Sequence, residues 1–385
     1  MADGTVERCG IARRRSRIVV SIVLVAALSL GLAARSPHTA RADEAPAAPA
    51  SQAGSWRVED PRRAETATPP PVMRAADCVG TDLVKSLQAR DAANFAKFET
   101  SARGVANGQG LLWRIERYGS KPSYLFGTMH SSEAIAKSFD DLVFRALRRS
   151  SVVATELPGA STRKVAAELR RLVATRSYRP YGDSLDALPA GLKDQVEAKL
   201  AEVGIPPQVA EQLQPWFLAL ALSRSRCVSS GAGGGADMET ADARIERLAV
   251  EQGATLVALE SAAEQVDALA SIPDGVALKM MRQSTEAGMR PEDVESTITG
   301  LYSTRRIGYL LAMRGPIWAG VFDVDGYAEF ISSFITRRNV TMLRRAVPIL
   351  DQGGAFIAVG ALHLPGEAGM VELLRREGYS VTRIW

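Results

Sequence analysis

Tyr124-Leu125-Phe126-Gly127-Thr128-Met129-His130 is a short apolar run followed by a glycine and, three residues on, a histidine. The chain closes on the same pattern in Ala355-Phe356-Ile357-Ala358-Val359-Gly360-Ala361-Leu362-His363. A short apolar run bounded by glycine reads as a buried strand. Glycine lets the chain turn where a side chain would clash. The histidine then stands in the loop at the strand's carboxyl end, the edge at which open α/β sheets bind ligands. The 385 residues include only three histidines, and His38 falls in a segment read below as a leader. The two that remain, His130 and His363, both sit in Gly-x-x-His.

Two more strand-like runs end in a carboxylate. Val152-Val153-Ala154-Thr155 leads into Glu156, and Thr255-Leu256-Val257-Ala258-Leu259 into Glu260. If these strands are parallel neighbours, two imidazoles and two carboxylates converge on one edge. Such a set suits a divalent metal and a hydrolytic water. Each glutamate alone has a plainer reading as a charge at a helix N-terminus, since Leu157-Pro158-Gly159 and Ser261-Ala262-Ala263-Glu264 both look like helix starts. A lone histidine is also more often structural than a ligand. Two in matching contexts, with no others in the body of the chain, favour function.

These residues carry a family resemblance. Tyr124 to His130, Thr155-Glu156-Leu157 and Gly360-Ala-Leu-His363-Leu-Pro-Gly-Glu367 resemble the TraB/PrgY/GumN family, over roughly residues 108–385. Gln214-Pro215-Trp216, Leu259-Glu260 with Gln265, Arg338-Asn339 and Gly378-Tyr379-Ser380-Val381 match it as well. That family is related to the Tiki metal-dependent proteases, and more distantly to erythromycin esterases and the ChaN-like fold. The resemblance implies an α/β fold with a mixed central sheet flanked by helices and a mainly helical middle region. It implies a metal held by His130, Glu156 and His363, with Glu260 as general base; the two glutamates can exchange these roles. Arg338 and Asn339 are the remaining candidate site residues; Arg338 reads either as part of a solvated helix end or as a clamp on an anionic or carbonyl oxygen in the site. The metal would be divalent, with zinc, manganese and cobalt as candidates. The expected activity is a secreted metal-dependent hydrolase, a peptidase by the likeness to Tiki. The alternative is a non-catalytic periplasmic binding protein for peptide, metal or haem. There is no His-Glu-x-x-His motif and no Gly-x-Ser-x-Gly elbow.

The amino-terminal residues read as targeting. Arg13-Arg14-Arg15 and Arg17 precede the uncharged run Ile18–Ala34, and Ala40-Arg41-Ala42 fits a cleavage site. Residues 1–42 are therefore expected to be a signal peptide cut after Ala42, directing the protein to the periplasm or outside the cell. Uncleaved, the leader would be a membrane anchor at the short limit for spanning. It carries seven arginines and two acids, leaving 40 basic and 41 acidic residues in the rest. The net charge of +4 comes from the leader, and no basic face argues for nucleic acid. The substrate is expected to be a peptide or small molecule.

Residues 43–75, rich in Ala and Pro, read as a disordered linker ahead of one domain over 76–385. Cys78 and Cys227 survive cleavage, and an even count in an oxidising compartment predicts a disulfide. Helical spacing predicts one helix from Thr81 to Thr100. Leu112–Arg117 and Ser123–Phe126 predict a hairpin. The chain from Ser161 to Arg226 reads as helical, broken at prolines, and includes a helix over Glu211–Leu222. Helices are expected over Glu239–Gln252 and Ser261–Ala270 and through most of residues 273–350. Gly231–Gly235 reads as a loop.

Overall fold

Alternation of apolar and polar residues builds the first strand, β1 (Leu112–Glu116), in which Leu112, Trp113 and Ile115 are buried and Arg114 is exposed. It pairs antiparallel with β2 (Ser123–Thr128), Trp113 opposite Leu125, as the hairpin reading predicts. All six residues of β2 are buried, because helices cover both faces of the sheet there. The structure is a computed structural model that describes residues 79–129, 141–160, 162–179, 181–223, 240–286, 290–313 and 331–385. The expected leader and linker, Cys78, Cys227, the Gly231–Gly235 loop and His130 lie outside the described residues.

Four further strands complete the sheet: β3 (Val152–Thr155), β4 (Thr255–Ala258), β5 (Ala355–Gly360) and β6 (Ser380–Arg383). The strand order is β4-β3-β5-β2-β1-β6. β4, β3, β5 and β2 run parallel, and β1 is antiparallel to both its neighbours. The sheet is therefore mixed and flanked by helices, as expected. Thr128 pairs with Gly360, and Thr155 with both Ala358 and Ala258. This register brings the carboxyl ends of the four parallel strands to one edge.

Helices α3 (Asp141–Arg148) and α7 (Ala241–Glu251) cover one face, where Val143, Leu147, Ala241, Ile245 and Ala249 share a core with Phe126, Val153 and Phe356. Helices α11 (Arg337–Gln352) and α12 (Met370–Arg376) cover the other, with Met342, Ala346 and Leu374 against Leu125, Ile357 and Val359. A third core belongs to the helical middle region. It joins α4 (Arg163–Arg176), α5 (Ala190–Glu202), α6 (Pro215–Leu222), α8 (Ala262–Ala270) and α9 (Asp274–Glu286). Trp216 and Phe217 meet edge to face there, with ring centroids 5.8 Å apart, so the aromatic stripe is core.

Three boundaries differ from the sequence reading. The helix expected over Thr81–Thr100 is two, α1 (Leu83–Arg90) and α2 (Ala92–Arg103), because Asp91 ends one and caps the other by accepting from the Asn94 amide. The helix expected from Glu211 begins at Pro215, whose missing N–H and fixed φ suit the first helical position. The helical stretch after residue 273 contains α10 (Pro291–Ser303) and then tightens into a 3-10 turn at Ile307–Ala312.

Candidate functional site

Both glutamates leave their strands at the same level, and the Glu260 amide donates to the Glu156 carbonyl at 2.8 Å. Neither carboxylate caps a helix. Thr162 caps α4, and Ser261 caps α8 in a capping box with Glu264. The glutamate side chains turn instead to Arg338 in the first turn of α11. Its Nη2 donates to Glu156 Oε2 at 2.6 Å and to Glu260 Oε2 at 2.7 Å. Its Nε reaches both oxygens of Glu260, at 2.9 and 3.1 Å. The guanidinium lies 4.9 Å from the centre of the Phe334 ring, and Gln265 Nε2 approaches Glu156 Oε2 at 3.4 Å.

Read from the sequence as a clamp for a substrate oxygen, Arg338 has its Nε and Nη2 engaged by the protein's own carboxylates. The physical reason is burial. Two carboxylates only 6% and 2% exposed repel each other unless a cation stands between them. The planar fork of arginine serves two partners at once, as an ammonium does not. Burial pushes the Glu260 carboxyl above its ordinary value, Arg338 opposes this, and the Glu156 charge adds to it. Burial acts to lower the Arg338 pKa, but the two carboxylates outweigh it and hold the guanidinium firmly charged.

His363 stands 3% exposed in a 3-10 turn directly after β5. Asn339, the residue after Arg338, fixes its ring. The Asn339 Nδ2 donates to the carbonyls of Ala368 at 2.7 Å and of His363 at 3.4 Å. Its Oδ1 therefore faces His363 Nδ1, at 2.5 Å, and accepts the ring N–H. Nε2 stands on the other side of the ring, 3.6 Å from Glu156 Oε1. That is long for a hydrogen bond. It is close to the separation of about 3.3 Å between two ligands on a tetrahedral zinc. Oε1 also accepts from the Gly360 amide at 2.6 Å.

The two glycines of the paired motifs owe their place to space rather than to turn conformation. Gly360 has φ −52°, open to any residue. A Cβ there would stand 3.2 Å from Glu156 Oε1 and 3.5 Å from His363 Cδ2. A Cβ on Gly127 would meet Leu364 Cδ1 at 2.7 Å and Ala361 Cα at 3.0 Å. The second Gly-x-x-His turn thus packs directly on the glycine of the first. Gly127→Ala is expected to cost about 1–3 kcal/mol by overpacking. Urea denaturation checks this, and an unchanged midpoint would remove the close-approach argument.

The structure brings Glu156, Glu260, Arg338, Asn339 and His363 together. Its register also sets the end of β2, two residues before His130, beside Gly360. Among the described residues no group of three or more His, Cys, Asp or Glu side chains is placed to hold a metal. His363 and Glu156 present two donors of the right chemistry, and the third donor expected from the sequence, His130, lies outside the described residues. Beside Asn339 and Leu362 opens a cavity of about 500 Å³, walled by the end of α2, Leu311, Ala312 and residues 365–369. The sequence reading missed Phe334 beneath Arg338, and it missed Asp242 and Glu246 on α7. The i,i+4 spacing of those two acids was the available signal.

Residues 111–383 match the TraB/PrgY/gumN family. No curated protein and no solved structure matches the chain.

Proposed function

The chain belongs to the TraB/PrgY/gumN family, and from that premise we propose that it is a metal-dependent hydrolase, a peptidase by its resemblance to the Tiki proteases. In this reading His363, Glu156 and His130 hold one divalent cation, with zinc, manganese or cobalt as candidates. The observation that carries it is the His363 ring, turned by Asn339 so that Nε2 faces Glu156 Oε1 at 3.6 Å. A histidine whose other nitrogen donates to an amide or carboxylate is the usual arrangement of a metal ligand. Bound there, the cation would supply Lewis acidity to a carbonyl and to water.

The chain's own residues do the rest. Asn339 holds the imidazole in one tautomer. Arg338 holds two buried carboxylates side by side. Glu260 takes a proton from the attacking water, and its raised pKa brings it closer to neutrality, where a base works best. The cavity beside Asn339 receives the substrate. The arginine-led leader supports a periplasmic or secreted location.

One observation favours a second reading, capture without turnover. Both oxygens of Glu260 accept from Arg338, so Glu260 acts as a base only when one oxygen is released. Metal analysis of the purified mature protein tests the shared site. Stoichiometric divalent ion is expected in the wild type, and its loss in His363→Ala and in His130→Ala, with the circular dichroism of the fold retained. A wild type that binds no divalent ion, or a His363→Ala that binds as well as wild type, would defeat the proposal.

A further inference from the structure

Helix α7 lies on the sheet face opposite α11, yet two of its acids reach the edge where the site is built. Asp242 and Glu246 are one helical turn apart and so share a helix face. The Thr128 hydroxyl donates to Asp242 Oδ1 at 3.0 Å, and the Thr155 hydroxyl to Glu246 Oε1 at 3.1 Å. Each threonine is the last residue of a parallel strand, β2 or β3, and each is almost fully buried. Glu246 also accepts the Gly159 amide on Oε2 at 2.9 Å.

The geometry points to Glu246 as a positioning residue that sets Glu156 from behind the sheet. Alternation along a strand sends Thr155 to the α7 face and Glu156 to the α11 face. One carboxylate therefore grips the residue before Glu156 and the turn three residues after it. With Thr155 and Gly159 both tied to Glu246, the backbone at Glu156 cannot rotate or slide without breaking a charge-assisted hydrogen bond. The Glu156 carboxylate is thereby held against the Gly360 amide and at its distance from His363 Nε2. Asp242 fixes the end of β2 in the same manner through Thr128, and Tyr302 adds a hydrogen bond to the Gly127 carbonyl at 2.9 Å. One helix thus aligns two strand ends that lie on either side of β5. The inference rests on the cation site proposed above, so its test carries a readout that needs no metal.

The variants are Glu246→Ala, Thr155→Val, Thr155→Ser and, as a control on the buried face of α7, Ile245→Val. The two readouts are Zn²⁺ affinity by chelator competition and the amide exchange of Gly360, which reports whether Glu156 Oε1 is in place. Glu246→Ala and Thr155→Val are expected to weaken Zn²⁺ binding roughly 10–100-fold, as loss of an outer partner does, and to lose protection at Gly360. Thr155→Ser restores the hydroxyl and should restore both readouts. Ile245→Val weakens the helix without touching either threonine and should move neither. Wild-type affinity and protection in Glu246→Ala would overturn the inference, as would an equal effect of Ile245→Val. If the wild type binds no Zn²⁺ but Gly360 still loses protection in Glu246→Ala and Thr155→Val, the positioning role stands and the cation site falls.

Discussion

Arg338→Ala is expected to lose about 3–5 kcal/mol of stability at neutral pH, the cost of leaving buried charge without its partner. Small domains have only about 5–15 kcal/mol in total, so the variant should sit near the limit of folding. The loss should shrink in acid, and the sign follows from Glu260. Its folded pKa is raised above 4.5 by burial. A carboxyl of this kind adds stability below its unfolded pKa and loses it as pH rises through the folded value. Without the guanidinium the folded value rises further, so the penalty grows from about pH 4.5 upward and is relieved as the carboxyls take up protons. Urea midpoints of wild type and variant at pH 7.5 and pH 5 measure this. An identical loss at both would show that buried charge is not the cause. Arg338→Lys should fall between the two proteins, because an ammonium keeps the charge but cannot fork across both carboxylates.

Glu260→Gln should separate binding from chemistry. In the role proposed for it as proton acceptor, Glu260 is expected to contribute about 10²–10⁴-fold to turnover. The amide keeps the size of the side chain and one acceptor for Arg338, so the divalent ion should stay, because Glu156 and His363 are untouched. Glu156→Gln should behave differently and lose the ion, since it removes charge from the oxygen that faces Nε2. Metal content and peptide hydrolysis, measured together on both variants, distinguish the two glutamates. A Glu260→Gln protein that hydrolyses peptide at the wild-type rate excludes Glu260 as base. If Glu260→Gln loses the ion while Glu156→Gln keeps it, the two roles are exchanged.

The paired Gly-x-x-His runs and the two strand-end glutamates contain most of the fold. Continuous apolar runs such as Ala355–Val359 announce strands buried on both faces, and the alternation in Leu112–Arg117 announces a strand at a hairpin. The helical spacing of Glu239–Gln252 placed α7 to within two residues at its start. Boundaries failed where one side chain decides them, as at Asp91, which ends one helix and starts the next. The reason given for the glycines also changed. A sequence shows that a glycine is present, while only packing shows that Gly360 makes room for a carboxylate and an imidazole.

The sequence by itself determined the fold class and marked the candidate site residues, because strand ends and rare histidines stand out in local pattern. It could not show the order β4-β3-β5-β2, which makes the four strand ends neighbours, because strand pairing joins residues more than 100 positions apart, as in Val152 with Thr255 and Tyr124 with Phe356. Nor could it show that Arg338 would be held by two glutamates, that Asn339 would set the His363 tautomer, or that α7 would grip Thr128 and Thr155 through the sheet. Those contacts depend on distances of about 3 Å between elements far apart in the chain. No periodicity encodes such distances, because they are set only when helices pack on opposite faces of one sheet.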